Sequence, residues 1–242
     1  PTNDRRQRQM CIRDRIMTAH EHVGNALPWL NRMKQDGIVL KAFEPANTAA
    51  ENLERIEKLI SKKTRVIAVP HITCTLGTKL PVNQISQLGK EKGLLVFIDG
   101  AHGTGSMSVD VQEIGCDFYA SCGHKWLLGS KGTGYLFIKE ELLDQVEPKW
   151  VGSYSDIGWY LNEEGAELFG YNPTAHRYDF GTQNVALYYG VETAIELMET
   201  IGMKKIEARI TYLQDYLREK LKTLGEKVTY LSSHEKDSQG PM

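Results

Sequence analysis

The chain has 242 residues, with 29 lysines and arginines against 31 aspartates and glutamates and a formal net charge of −2. So even a balance gives bulk electrostatics no reason to hold nucleic acid or an anionic membrane, and apolar runs as short as "LLVFI" cannot span a bilayer. Four cysteines without a paired spacing exclude a disulfide scaffold and suit a reducing, cytoplasmic setting, which leaves small-molecule chemistry as the expected class.

Residues 1–15, "PTNDRRQRQMCIRDR", are arginine-rich, lack hydrophobic periodicity and contain no apolar core of a secretory signal. A disordered or non-native head, outside the fold, is expected there. From residue 38 the pattern alternates. "IVLKAF" predicts a strand, and "NTAAENLERIEKLISKK" a helix with Leu53, Ile56, Leu59 and Ile60 on one face, capped by Asn47 or Thr48. "RVIAVP" and "LLVFID" are short, fully apolar strands, and "VNQISQLGKEKG" between them is a helix ending at Gly93. Strand, helix, strand, helix, strand implies a parallel sheet with right-handed crossovers, hence an α/β three-layer sandwich with a mostly parallel sheet.

After Asp99 come a glycine-rich turn, a short "VDVQEIGCD", a strand "FYAS", a loop around Lys125 and a further strand "GYLFIK". Residues 184–201 and 203–224 predict two long helices, the second with Ile206, Ile210, Leu213, Leu217, Leu221 and Leu224 in one stripe expected to pack into a core. A strand-like "KVTYL" and a polar tail follow. The expected organisation is a large domain over 16–200 and the start of a truncated, smaller α+β domain over 201–242.

Two stretches carry chemistry. Asp99 ends an apolar strand at the edge where open parallel sheets bind ligands, so its charge needs a partner such as a protonated ring nitrogen. Taken alone, it is equally a cap for the Asp-Gly turn that it begins. Lys125 lies in "SCGHKWLLG", where Trp126 and Leu127 would strip water from the amine and make it a nucleophile able to form a Schiff base. Taken alone, it is equally a surface lysine with a packed stem. A strand-end aspartate for a pyridinium nitrogen followed by a lysine for an aldehyde is the arrangement expected for pyridoxal phosphate. The competing nucleotide reading of "GTGS" and "GSKGTG" lacks the glycine order and the helix that follows it. Zinc binding by Cys116, Cys122 and His124 lacks a paired spacing.

"DGAH" followed by "SCGHKW", with "EHVGN" upstream and "RYDFGTQN" downstream, resembles the class V aminotransferase group of fold type I pyridoxal phosphate enzymes over residues 16–231. That group includes cysteine desulfurases, selenocysteine lyases and isopenicillin N epimerase-like proteins. The resemblance implies that residues 16–200 are a cofactor-binding large domain, that Lys125 carries the Schiff base and that Asp99 pairs with the ring nitrogen. It implies that His22 stacks on the ring and joins Lys125 as a catalytic residue, and that His102 lies near the phenolic oxygen. His124 helps hold the phosphate, and Ser121 or Cys122 stands where desulfurases place a phosphate-binding serine. Thr182 is implied to reach the phosphate of a neighbouring subunit, in a homodimer with a shared active site. "PHITCTLG" adds Thr73 to the cofactor set. Cys74 there, in place of a desulfurase asparagine, and His102, in place of a glutamine, point toward the epimerase-like branch.

The implied substrate is an amino acid or derivative, with epimerase-, aminotransferase- or desulfurase/lyase-type chemistry left open. No counterpart of the family's earlier phosphate-binding segment occurs in residues 1–15, and the carboxy-terminal region bearing the substrate-carboxylate arginine and the desulfurase cysteine is absent. An internal fragment is expected, with a non-catalytic remnant as the alternative.

Overall fold

A computed structural model describes residues 13–241. Five strands, β1 (Asp14–Thr18), β2 (Val39–Phe43), β3 (Thr64–Pro70), β4 (Leu95–Asp99) and β5 (Phe118–Cys122), run parallel. The sixth, β6 (Gly134–Ile138), is antiparallel at the edge, and the order across the sheet is β2-β1-β3-β4-β5-β6. β3 and β4 are apolar at nearly every position because both of their faces are covered. Ile67, Val69, Val96 and Ile98 enter the main core with Ile56 and Ile85 of the covering helices, while Val66 and Ala68 point the other way, against Met17, Trp29 and Phe97. The α/β sandwich expected from the alternation is the fold observed.

Helix α1 (Val23–Asp36) links β1 to β2, α2 (Ala49–Leu59) links β2 to β3, α3 (Val82–Lys92) links β3 to β4, and the single turn α4 (Val111–Ile114) lies between β4 and β5. Thr48, rather than Asn47, caps α2: its hydroxyl accepts the Glu51 N–H while the Glu51 carboxylate accepts the Thr48 N–H, a reciprocal capping box. α3 ends as expected at Gly93, in the left-handed conformation at φ 65°. α1 has no core-facing periodicity legible in sequence. It carries Pro28 internally and leaves Val23, Leu27, Leu30 and Met33 exposed.

Three expectations require correction. Asp14 and Arg15, assigned to the head, open β1, which lies between β2 and β3 in the sheet. Asp14 is buried because its carboxylate meets Lys41 Nζ at 2.7 Å and accepts the Ser61 hydroxyl at 2.9 Å, so an acidic residue is tolerated where an apolar one is the rule. Residues 1–12 of the predicted head lie outside the described residues. The stripe of α6 (Met203–Lys222) is not core: this helix has no buried residue, and Leu217 is 57% exposed. "KVTYL" is not a strand, since no neighbouring strand offers it a ladder. The chain turns there at Gly225–Lys227 and returns to the large domain, where Lys79 N–H donates to Ser238 O and the Ser233 hydroxyl to Asn47 O. The tail therefore touches the sheet domain at these two points.

Between β6 and α5 (Val185–Ile201), the hairpin β7 (Trp159–Asn162) and β8 (Gly165–Leu168) pairs only with itself and leaves Trp159 and Leu161 exposed. Among the described residues no helix is long and apolar enough to cross a membrane.

Candidate active site

Because β1 and β3–β5 are parallel, their carboxyl ends share one edge, and the segments leaving them carry Glu21 and His22, His71 to Cys74, Asp99 to His102, and Ser121 to Lys125. The glycines of "GAHGTGS" let two of these segments touch. A Cβ on Gly105, at φ 85°, would lie 2.5 Å from the backbone of Trp126 and Leu127, and a Cβ on Gly103 would lie 2.7 Å from the Tyr119 hydroxyl. These glycines serve close packing under the lysine loop, not a phosphate-cradling turn at a helix start.

Asp99 caps the turn that it begins. One carboxylate oxygen accepts the Ala101 N–H at 3.0 Å, capping the turn, and the other takes no hydrogen bond from the described residues. Its backbone carbonyl accepts the His71 N–H, which ties the end of β4 to the end of β3. Lys125 is half-buried, and its Nζ lies 3.1 Å from Nε2 of His102. The other ring nitrogen of His102, Nδ1, accepts the Trp126 indole N–H at 3.2 Å. Burial, followed by the charge of Lys125, holds His102 below the ordinary imidazole range, and Asp99 opposes them. The charges of Lys125, Asp99 and His22 all act on His102.

His22 is exposed and caps α1, its Nδ1 accepting the Gly24 N–H at 3.0 Å. This cap directs the second nitrogen and a ring face outward. Thr73 does not open to the site: it is fully buried and its hydroxyl accepts the Thr78 N–H, closing the turn after β3. Ser121 donates its hydroxyl to Gly100 O at 3.1 Å, and Cys122 closes β5 opposite Gly134. The side chains of His124 and Thr182 are exposed and make no hydrogen bond to the described residues. The structure therefore brings Lys125 into contact with His102, with Asp99 and His22 near enough to act on the same ring, and among the described residues shows no hydrogen bond that joins Ser121, Thr73, His124 or Thr182 to that pair. Cys116, weighed for zinc, is buried in the main core, where burial pushes its thiol up to about 11.

Three participants escape a reading by motif. Glu21, immediately before His22, is held by Thr18 N–H at 3.1 Å, the Thr18 hydroxyl at 2.9 Å and Asn25 Nδ2 at 2.8 Å. Burial pushes its carboxyl up, and the nearby charge of Asp99 adds to that effect. Its only sequence signal is an acidic residue inside "EHVGN". Trp126 looks like a desolvating neighbour of Lys125, but its indole N–H makes a polar contact with His102. His71 is buried against Tyr119, with Nδ1 3.0 Å from the phenol oxygen, and burial lowers it to about 4.

The sequence matches the family model described as aminotransferase class-V over residues 9–242. It is 32% identical over 216 residues to a probable cysteine desulfurase of Halalkalibacterium halodurans, an alignment that covers 89% of this chain and 52% of that protein. The fold superposes on the apo cysteine desulfurase of Thermococcus onnurineus NA1 with a TM-score of 0.81 at 26% identity, covering 97% of this chain and 57% of that structure. It also superposes on a C-DES variant with glycine covalently linked to the PLP cofactor, with a TM-score of 0.78. At 24% identity, over 88% of this chain and 56% of that one, this second likeness is one of fold alone. The chain spans about half the length of the curated relatives it matches.

Proposed function

The chain belongs to the class-V aminotransferase family, and from that premise we propose that Lys125 holds pyridoxal phosphate at the strand ends and that the protein acts at the α-carbon of an amino acid. The observation that carries this reading is a single cluster in which an amine, an imidazole and a strand-end carboxylate, those of Lys125, His102 and Asp99, act on one another electrostatically.

The donor set suits that cofactor. The oxygen of Asp99 left open by the Ala101 N–H can hold a proton at the ring nitrogen, Lys125 is the amine for the aldehyde, and the outward face of His22 can cover the ring. Its phosphate end is less complete, because the Ser121 and Thr73 hydroxyls are already engaged, which leaves His124, Cys122 and Thr182 as candidates. Bound there, pyridoxal phosphate would supply an electron sink beside the substrate α-carbon. Lys125 Nζ then serves as the base that takes the α-proton, within reach of His102 Nε2. Burial raises the Glu21 carboxyl above its ordinary range against the opposing hydrogen bonds from Asn25 and Thr18, and the charge of Asp99 adds to the rise.

Removal of sulfur from a cysteine-type substrate is the reaction that the relatives' names support. Cys74 and His102, which stand where desulfurases carry asparagine and glutamine, favour an epimerase-type outcome as the second reading. Thr182 is exposed beside exposed Phe180, Val185 and Tyr189, a surface suited to cover by a second copy that shares the site.

Borohydride reduction in the presence of pyridoxal phosphate, followed by peptide mapping, tests the attachment. A label on Lys125 supports it, and a label on Lys131 or on no lysine overturns it. An amino-acid panel scored for sulfide release and for loss of chirality separates the two reaction types.

A further inference from the structure

The contact chain from Trp126 through His102 to Lys125 has one permitted arrangement of protons. An indole N–H can only donate, so at 3.2 Å from Trp126 Nε1 the His102 Nδ1 must present its lone pair. A neutral imidazole has a single ring proton, which then belongs on Nε2. That nitrogen is 3.1 Å from Lys125 Nζ. An Nε2–H facing Nζ is a hydrogen bond when Nζ offers a lone pair, and a meeting of two donors when Nζ carries three protons. The charged or titratable groups that act on His102 are Lys125, Asp99 and His22. The backbone supports the arrangement: Trp126 follows Lys125 directly, and Gly105 lets the Trp126 carbonyl approach the turn that carries His102.

We propose that Trp126 is a positioning residue that locks His102 in the Nε2–H tautomer, so that His102 presents an N–H instead of a lone pair to the Lys125 nitrogen and offers its ammonium form no acceptor on that side. The tautomer follows from this chain's own contacts. Its consequence, faster capture of an aldehyde by Lys125, rests on the reading of Lys125 as the attachment amine. A phenylalanine at 126 keeps the ring's bulk and removes the N–H, so both His102 tautomers become available and the donor toward Nζ is lost for part of the time.

The test uses the cofactor-free chain. Long-range nitrogen–proton spectra of histidine-labelled protein, with His102 assigned by the resonances lost in His102→Gln, report which ring nitrogen is protonated. Acetylation of Lys125 by acetic anhydride, measured against the exposed Lys131 in the same sample, reports the reactivity of the amine. The expected wild-type spectrum has an unprotonated Nδ1 and a protonated Nε2, and Trp126→Phe averages the two. The Lys125 to Lys131 acetylation ratio should fall in Trp126→Phe by about threefold to tenfold, the range of one modest hydrogen bond. In a His102→Gln background the same Trp126→Phe change should leave the ratio unaltered, which guards against a general loss of packing. A proton on Nδ1 in the wild type, or an unchanged tautomer and ratio in Trp126→Phe, overturns the proposal. The expected spectrum supports it even where borohydride maps the cofactor to another lysine, so the two readings fail separately.

Discussion

Strands β3, β4 and β5 with the loops that leave them, and the segment from Lys149 to Gly225, both carry many aromatic and aliphatic residues, yet most of these end in opposite states. In the first region Tyr119 is fully buried, His71 packs edge-on against it, and Gly103 and Gly105 allow backbone contact with the lysine loop. In the second, Trp150 is 79% exposed and Leu161 74%, and no residue of α6 is fully buried. The difference teaches that apolar content does not decide burial. Burial needs an opposing surface, which the sheet supplies to the first region and the described residues do not supply to the second.

The largest expected effect tests the chemistry of the first region. Lys125→Ala removes an amine proposed both to attach the cofactor and to take the α-proton, and the loss of a general base alone is worth about 10²–10⁴-fold. Turnover should fall by at least about 10⁴-fold with secondary structure unchanged in circular dichroism. A smaller loss would transfer the base to another residue.

Gly105→Ala and Gly225→Ala compare the two regions at the backbone. Both residues have positive φ, but a Cβ at 105 meets the Trp126 carbonyl at 2.5 Å, and a Cβ at 225 meets nothing within 4 Å. Urea unfolding should show Gly105→Ala destabilised by about 2–5 kcal/mol, strain and overpacking together, and Gly225→Ala by about 1 kcal/mol. Equal losses would mean that the lysine loop yields more readily than its packing suggests.

Ile67→Ala and Leu217→Ala make the same comparison with side chains. The fully buried Ile67 should cost about 2–5 kcal/mol, whereas Leu217, 57% exposed, should stay within about 0.5 kcal/mol. A large loss at Leu217 in a concentration-dependent melt would reveal a second copy covering α6.

His71 adds a pH dependence that arises from burial, with the charge of Lys79 acting in the same direction. Its folded form titrates near 4 against an ordinary value of 6.5, so between these values the unfolded chain binds the extra proton and stability rises with pH. The contribution is complete above about 6.5 and is lost as pH falls toward 4, amounting to about 3 kcal/mol from the two pKa values. In His71→Asn the fall in unfolding free energy between pH 7 and pH 4, read from urea titrations, should shrink by that amount. An unaltered fall would show that His71 takes up its proton without unfolding.

Local physics made much of this fold legible. β3 and β4 declare themselves as short apolar runs bounded by turns, α2 carries a Thr48–Glu51 capping box at its start, and Gly93 marks the end of α3. Such signals depend on residues a few positions apart. The order of "EHVGN", "DGAH", "SCGHKW" and "FGTQN" likewise carried the resemblance to the family whose model matches residues 9–242.

What the tertiary structure decided depends on partners distant in sequence. Asp14 belongs to a buried strand only because Lys41 and Ser61 neutralise and bond its carboxylate, and no local pattern announces that compensation. "KVTYL" has a strand's composition and no ladder to join. The stripe of α6 has a core helix's periodicity and no core to face. In the site, the Thr73 hydroxyl was spent on its own turn, and Trp126, apolar in any one-dimensional reading, acquired a polar task when the turn after β4 brought His102 to its indole nitrogen. Sequence alone determined the elements and the kinds of reactive group, because propensity and periodicity act over a few residues. Which groups meet, and which way their hydrogen bonds run, was left to long-range packing, because a contact exists only when both of its sides arrive.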